Sequence, residues 1–194
     1  VKANTHFRRK EKSYASKKKS YTRYFDSSIH DRGEIANQRG RLGDYEGDTV
    51  YGSVGKGYLI TGVDRQSRLT VAAIARDKTI ESTNTAFIAA FRKAKLVPPI
   101  TLTLDNGTEF LGFKELEQAL DMKVYFADAH APWQRGSNEN INGLIRFFFP
   151  RGTDFTKVTD EQLDAVLELI NNRPRKCLGY LSPNEFINKV LHLA

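Results

Sequence analysis

The 194-residue chain has few of the residues that build disulfide-linked, zinc-binding or membrane-spanning proteins. Its one cysteine, Cys177, excludes an internal disulfide, and with only four histidines no Cys/His cluster indicates zinc. No apolar run approaches the roughly 20 residues of a membrane-spanning helix, and the first residues are basic and polar, unlike a signal peptide. We therefore expect an intracellular protein. Because the chain begins with Val, we also expect a piece of a longer protein.

Positive charge is concentrated near the beginning of the chain. The net charge is +7, but residues 1–43 hold twelve Lys/Arg and four Asp/Glu, whereas residues 44–194 are nearly balanced. Aromatic residues interspersed among these cations suit contacts with phosphates and bases, although a solvated leader has the same composition. The sequence predicts a partly flexible basic arm over residues 1–43 and a folded domain over 44–194. The predicted nucleic-acid contacts in the arm are Arg8, Arg9, Lys10, Lys17, Lys18 and Lys19.

The order of the predicted elements indicates an α/β fold. The predicted strands cover residues 46–51, 58–63, 69–75, 100–104 and 123–126, and the predicted helices cover 80–95, 109–121, 138–149 and segments after Thr159 and Ser182. The first three strands are joined by turns and should pair antiparallel. The last two are separated by helices and should pair parallel. This order predicts a ribonuclease H-like mixed five-stranded sheet flanked by helices.

Three acidic residues fall where this fold would gather them. Asp48 lies in the first strand, Asp105 ends the fourth, and Glu139 opens the helix predicted over residues 138–149. Ligands collect outside the carboxyl ends of strands in open sheets. Grouped carboxylates repel one another unless a multivalent cation lies between them, and oxygen ligands favour Mg²⁺ or Mn²⁺. On the residues alone, metal binding and purely structural roles are about equally favoured.

Four other residues are weaker candidates. Asp64, in a hairpin turn, and Asp44, ahead of the predicted first strand, compete with Asp48 as the first carboxylate. Glu109 either caps the helix predicted over residues 109–121, which we favour, or reaches the acidic site. His130 either carries a proton or makes a loop hydrogen bond, and we favour the hydrogen bond.

Further DNA contacts are predicted around Glu139. Arg135 suits a phosphate, and Trp133 either stacks on DNA or, as we favour, is buried against the sheet edge. Asn142 and Arg146 share the helix face of Glu139 and either hold its carboxylate or contact DNA.

Three segments resemble the catalytic blocks of bacterial insertion-sequence transposases of the IS-thirty family. They cover residues 43–50, 104–110 and 132–146, and the last is highly specific. The thirty-three residues between Asp105 and Glu139 are also similar to the spacing in that family. Tyr45 stands where the family usually has Trp. Residues 171–174 and 178–183 resemble the family's tail, so the likeness covers most of the chain.

The resemblance implies an Asp-Asp-Glu transposase on a retroviral-integrase-type scaffold. Asp48, Asp105 and Glu139 would then be its catalytic residues and would bind two Mg²⁺ or Mn²⁺ ions. Such an enzyme hydrolyses DNA at transposon ends and transfers the 3′-hydroxyl into DNA, as at least a dimer, in the bacterial cytoplasm in association with the nucleoid. Family members usually carry helix-turn-helix domains ahead of this core. The alternatives are a related nuclease that cuts without joining and a non-catalytic DNA-binding or assembly module.

Overall fold

A mixed sheet of five strands forms the centre of the computed structural model, which describes residues 27–129 and 131–192. The strands are β1 (Asp44–Tyr51), β2 (Tyr58–Asp64), β3 (Thr70–Ala75), β4 (Thr101–Leu104) and β5 (Lys123–Phe126). Their spatial order is β3-β2-β1-β4-β5, with β1, β2 and β3 antiparallel and with β4 parallel to both β1 and β5. The predicted mixed sheet is confirmed.

Helices cover both faces of the sheet. They are α1 (Glu34–Asn37), α2 (Ile80–Lys93), α3 (Phe113–Leu120), α4 (Gly136–Phe148), α5 (Asp160–Asn171) and α6 (Pro183–His192). On one face α2 and α3 bury a core that includes Phe87, Phe91 and Leu116. On the other face α4 and α5 bury a second core that includes Ile145 and Leu163. The face beneath α4 carries the acidic residues described below.

Two predicted boundaries are wrong because each depends on a contact with a distant part of the chain. Asp44 is the first residue of β1 rather than a residue ahead of it, because its backbone pairs with Thr101 of β4. The helix predicted over residues 109–121 is divided into a 3₁₀ turn, Thr108–Phe110, and α3. Between them Gly112 packs so tightly on α2 that an added Cβ would lie 2.1 Å from Ile80 Cγ2.

Residues 28–43 pack against the sheet. Ser28 forms a bridge to Phe126 of β5, and Ile29 and Ala36 are buried. The Arg65 Nε donates to the carbonyl of Ala36 at 3.1 Å. The predicted contacts Arg8, Arg9, Lys10, Lys17, Lys18 and Lys19 lie outside the described residues, so the division into arm and domain stays a prediction. Within the described ranges, no helix is long and apolar enough to cross a bilayer.

Candidate active site

The alternation of β1 directs three acidic side chains toward the face of the sheet that α4 covers. Asp44, Glu46 and Asp48 are two residues apart, in register with Val50, which belongs to the core beneath α4. The intervening Tyr45 lies in the opposite core. The three carboxylates therefore form one row along β1, with Asp48 nearest its carboxyl end.

The neighbouring strand β4 brings a second acid beside this row. Because Glu46 pairs with Thr103 in parallel register, Asp48 and Asp105, each two residues further on, come to lie side by side where β4 ends. The Asp48 side chain is 25% exposed and that of Asp105 is 43% exposed. Burial of the carboxyl group raises the pKa of Asp105, and this effect is larger than the lowering of the pKa by the positive charge of Arg135. The sequence prediction that these two residues meet agrees with the geometry.

A guanidinium lies between the two carboxylates. The Arg135 Nη2 donates to Asp105 Oδ2 at 3.1 Å, and Nη1 lies 3.5 Å from Asp48 Oδ1. The same Nη1 donates to the carbonyl of Gly47 at 3.1 Å. The predicted phosphate contact at Arg135 is thus engaged with both acids, and the site already accommodates a cation.

Helix α4 meets this acidic pair through Asn142. Its Nδ2 donates to Asp48 Oδ2 at 2.7 Å, so Asn142 holds the first carboxylate rather than that of Glu139. Glu139 lies three residues earlier on the same helix face, one turn from that contact. Its side chain is exposed, and no hydrogen bond or ion pair joins it to another residue in the described ranges.

The third predicted ligand is therefore near the acidic pair but not in contact with it. Within residues 27–129 and 131–192, no three His, Cys, Asp or Glu side chains lie close enough to hold a metal ion. The donor chemistry nevertheless fits a hard divalent cation, because Asp48, Asp105 and Glu139 offer only oxygen atoms. Arg135 between the first two shows that positive charge is stabilised there.

Glu46, which the sequence analysis did not single out, fixes the beginning of α4. Its carboxylate is fully buried, pairs with Arg65 and accepts a hydrogen bond from the backbone nitrogen of Ser137 at 2.9 Å. The hydroxyl of Ser137 in turn accepts from Arg68. The only signal in the sequence was an acidic residue two positions before Asp48 in the same strand. Its role could not be predicted, because its partners are 19 and 91 residues away in the chain.

The two alternative first carboxylates have structural roles. Asp44 is fully buried and accepts hydrogen bonds from Arg41 and from the Thr101 hydroxyl. Asp64 is also buried and accepts from the backbone nitrogens of Gly43 and Ser67, which closes the hairpin between β2 and β3. Neither contacts Asp105, so the geometry favours Asp48 as its partner.

Glu109 lies beside Asp105 instead of capping α3. Both carboxylates lie close to Gly107: a Cβ added there would be 2.7 Å from Glu109 Oε2 and 3.0 Å from Asp105 Oδ1. The Tyr51 hydroxyl donates to Glu109 Oε1 at 2.7 Å, and burial raises the pKa of Tyr51 to about 12. The favoured capping role is wrong, because the residue before α3 is Gly112, which makes no side-chain cap.

The remaining predicted contacts have mixed outcomes. Trp133 is 75% exposed, so its favoured burial against the sheet edge is wrong; the 3₁₀ turn Pro132–Arg135 carries it away from both cores. Arg146 is half-buried, and its Nη1 lacks a hydrogen-bond partner among the described residues. His130 lies outside the described residues.

Known proteins are similar to this chain over most of its length. The family described as the integrase core domain matches residues 39–132, which include Asp48 and Asp105. The transposase for insertion sequence element IS4351 of Bacteroides fragilis is 41% identical over 165 residues, 84% of this chain and 50% of that protein. Transposase InsI for insertion sequence element IS30A of Escherichia coli (strain K12) is 40% identical over 161 residues, 83% of this chain and 42% of that protein. The predicted relationship to the IS-thirty family is confirmed. The chain spans about half the length of these relatives.

Solved structures have the same fold. A chain of the simian T-cell lymphotropic virus intasome in complex with PP2A regulatory subunit B56 gamma matches with a TM-score of 0.58 at 20% identity, over 74% of this chain and 53% of that chain. The HTLV-2 integrase catalytic core domain in complex with magnesium, in its dimeric form, matches with a TM-score of 0.53 at 20% identity, over 74% and 94%. The predicted ribonuclease H-like architecture is confirmed.

Proposed function

We propose that this chain is the catalytic core of a DNA transposase. The observation that carries the proposal is the meeting of Asp48, in β1, with Asp105, at the carboxyl end of β4, around a cationic group, with the helix of Glu139 bonded to Asp48. The family relationship supports the same function. The proposed reaction is phosphodiester hydrolysis at transposon ends, followed by transfer of the 3′-hydroxyl into DNA.

The proposed metal ligands are Asp48, Asp105 and Glu139. Two bound Mg²⁺ or Mn²⁺ ions would supply activation of the attacking oxygen and stabilisation of the leaving oxygen. Asn142 orients the Asp48 carboxylate, and the backbone nitrogen of Gly107 orients that of Asp105 at 3.0 Å. No described partner holds the Glu139 carboxylate, so it can turn toward Asp48 without losing a bond. The magnesium complex of a retroviral integrase core supports the choice of ion.

DNA is the proposed partner, contacted near the site by Trp133, Arg135, Asn142 and Arg146 and elsewhere by the basic residues between positions 8 and 19. Trp133 presents a large aromatic surface on which a base can stack. Two transposon ends must be joined, so we infer that at least two chains act together. The dimeric integrase core supports this inference.

Nicking of supercoiled plasmid DNA in Mg²⁺ or Mn²⁺ tests the proposed chemistry. Asp48→Asn and Asp105→Asn should each reduce the nicking rate at least about 100-fold, because metal ligation supplies several kcal/mol of transition-state stabilisation. Asp121→Asn is the matched control, since Asp121 ends α3 in a left-handed conformation that asparagine adopts readily. If the Asp48 and Asp105 variants nick as fast as this control, the proposed catalytic pair is wrong.

A further inference from the structure

The position of Arg135 has a consequence for metal binding. Its side chain is only 14% exposed and lies against both Asp48 and Asp105. Two carboxylates that lie side by side on neighbouring parallel strands repel each other, and a guanidinium between them offsets that repulsion. Any cation that binds both acids must therefore compete with a cation that the chain itself supplies.

The contacts of this guanidinium are incomplete. The separation of 3.5 Å from Asp48 is an ion pair but exceeds a normal hydrogen-bond length. The Arg135 Nε is buried and has no hydrogen-bond partner among the described residues. A buried donor without a partner destabilises the arrangement that contains it. The site thus stabilises a positive charge at the acidic pair, but it leaves the Arg135 Nε without a hydrogen bond among the described residues.

The backbone on both sides of Arg135 is held by other groups. Gln134 makes two hydrogen bonds with Asp128, through its side-chain nitrogen at 2.9 Å and its side-chain oxygen at 2.8 Å. Ser137 is bonded through its backbone nitrogen to Glu46. The Arg135 side chain can therefore change partners by rotation about its own bonds while the turn and the start of α4 stay in place.

We propose that Arg135 is a resident counterion of the acidic pair, which holds Asp48 and Asp105 together until a divalent cation replaces it. The inference rests on the proposed metal binding at these residues. It gives Arg135 a positioning role through the two carboxylates. Loss of Arg135 should therefore lower the stability of the protein in the absence of metal. The same change should increase the affinity of the acidic pair for metal.

Calorimetric titration with Mg²⁺, in the absence of DNA, separates this role from a merely structural one. Arg135→Gln should lower the Kd for Mg²⁺ about tenfold, which corresponds to about 1.4 kcal/mol. In EDTA the same variant should unfold at a lower temperature than the wild type. Arg92→Gln is the matched control, because it removes an exposed arginine of α2 that contacts neither Asp48 nor Asp105, and it should bind Mg²⁺ like the wild type.

Arg135→Lys provides a second variant if Arg135→Gln does not fold. Lysine keeps the charge but lacks the planar guanidinium that contacts both acids and Gly47. The Kd of this variant for Mg²⁺ should therefore also fall, by a smaller factor. Equal or weaker Mg²⁺ binding in the Arg135 variants, with normal binding by the wild type, would overturn the counterion role alone. If the wild type binds no Mg²⁺, or Asp48→Asn binds it as well as the wild type, the proposed metal site fails and the counterion role fails with it.

Discussion

At the scale of single residues, the three carboxylates of β1 differ in what surrounds them. Asp44 and Glu46 are fully buried and paired with arginines, whereas the Asp48 side chain keeps 25% of its surface exposed. A carboxylate that binds a substrate or an ion has to be reached from solvent. The resemblance to a family predicts Asp48 as the partner of Asp105, and Arg135 contacts both residues, but residue type alone does not separate Asp48 from its two neighbours.

Substitution of Glu46 tests this division of roles. Glu46→Gln should lower the free energy of unfolding by about 3 kcal/mol, because Arg65 keeps a buried charge that has lost its partner. Urea denaturation measures the change. Asp48→Asn, the matched variant two residues along the strand, should change the free energy by less than about 1 kcal/mol. Equal destabilisation by both substitutions would contradict this division of roles between Glu46 and Asp48.

At the scale of elements, periodic helices and strands were predictable and aperiodic turns were not. The apolar spacing of Ile141 and Ile145 predicts the buried face of α4, and both residues are buried. The 3₁₀ turn Pro132–Arg135, which carries Arg135 to the acidic pair, has no periodic pattern, and no strand or helix was predicted there. The break before α3 was missed because it depends on contact with α2, far away in the sequence.

The close contact between α2 and α3 gives a prediction about glycine. Gly112→Ala should destabilise the fold by about 1 to 3 kcal/mol, since the new Cβ would overlap Ile80 and the Asn84 side chain. Gly143→Ala is the control: it lies within α4 with nothing within 4 Å of the added Cβ, and it should stabilise by about 0.5 to 1 kcal/mol. Thermal or urea unfolding measures both. Similar effects of the two variants would contradict the tight packing at Gly112.

At the scale of the whole molecule, the sequence predicts the directions of the strands well because the connections between strands restrict the topology. Segments joined by short turns pair antiparallel, and segments separated by helices need parallel crossovers. The distances within the site could not be predicted in this way. Two features of the site depend on packing between distant parts of the chain. They are the position of Glu139, one helical turn from the contact between Asn142 and Asp48, and the position of Arg135 between the two acids.

Uneven charge over the chain gives a prediction about DNA affinity. Residues 1–26 hold nine Lys/Arg and two Asp/Glu, and their removal leaves the packed residues 28–43 in place. The shortened chain should bind duplex DNA more weakly, and each lost phosphate contact should reduce the slope of log affinity against log salt by about 0.9. A titration at several salt concentrations measures this slope.

A variant of full length distinguishes charge from chain length in that experiment. Substitution of Lys17, Lys18 and Lys19 by Gln removes three cations and should reproduce part of the reduction in slope. An unchanged slope in both proteins would refute the DNA-binding role of the basic arm.

The most direct test of the transposase assignment is strand transfer by pre-cut DNA. Linear duplexes with free 3′-hydroxyl ends are incubated with a supercoiled target plasmid in Mg²⁺ or Mn²⁺, with wild type, Glu139→Gln and, as control, Glu81→Gln on the exposed surface of α2. Joined product should form with the wild type and with Glu81→Gln and be lost with Glu139→Gln, while all three proteins unfold at the same temperature. Cutting without joining by the wild type would indicate a nuclease instead, and undiminished joining by Glu139→Gln would contradict the assigned catalytic centre.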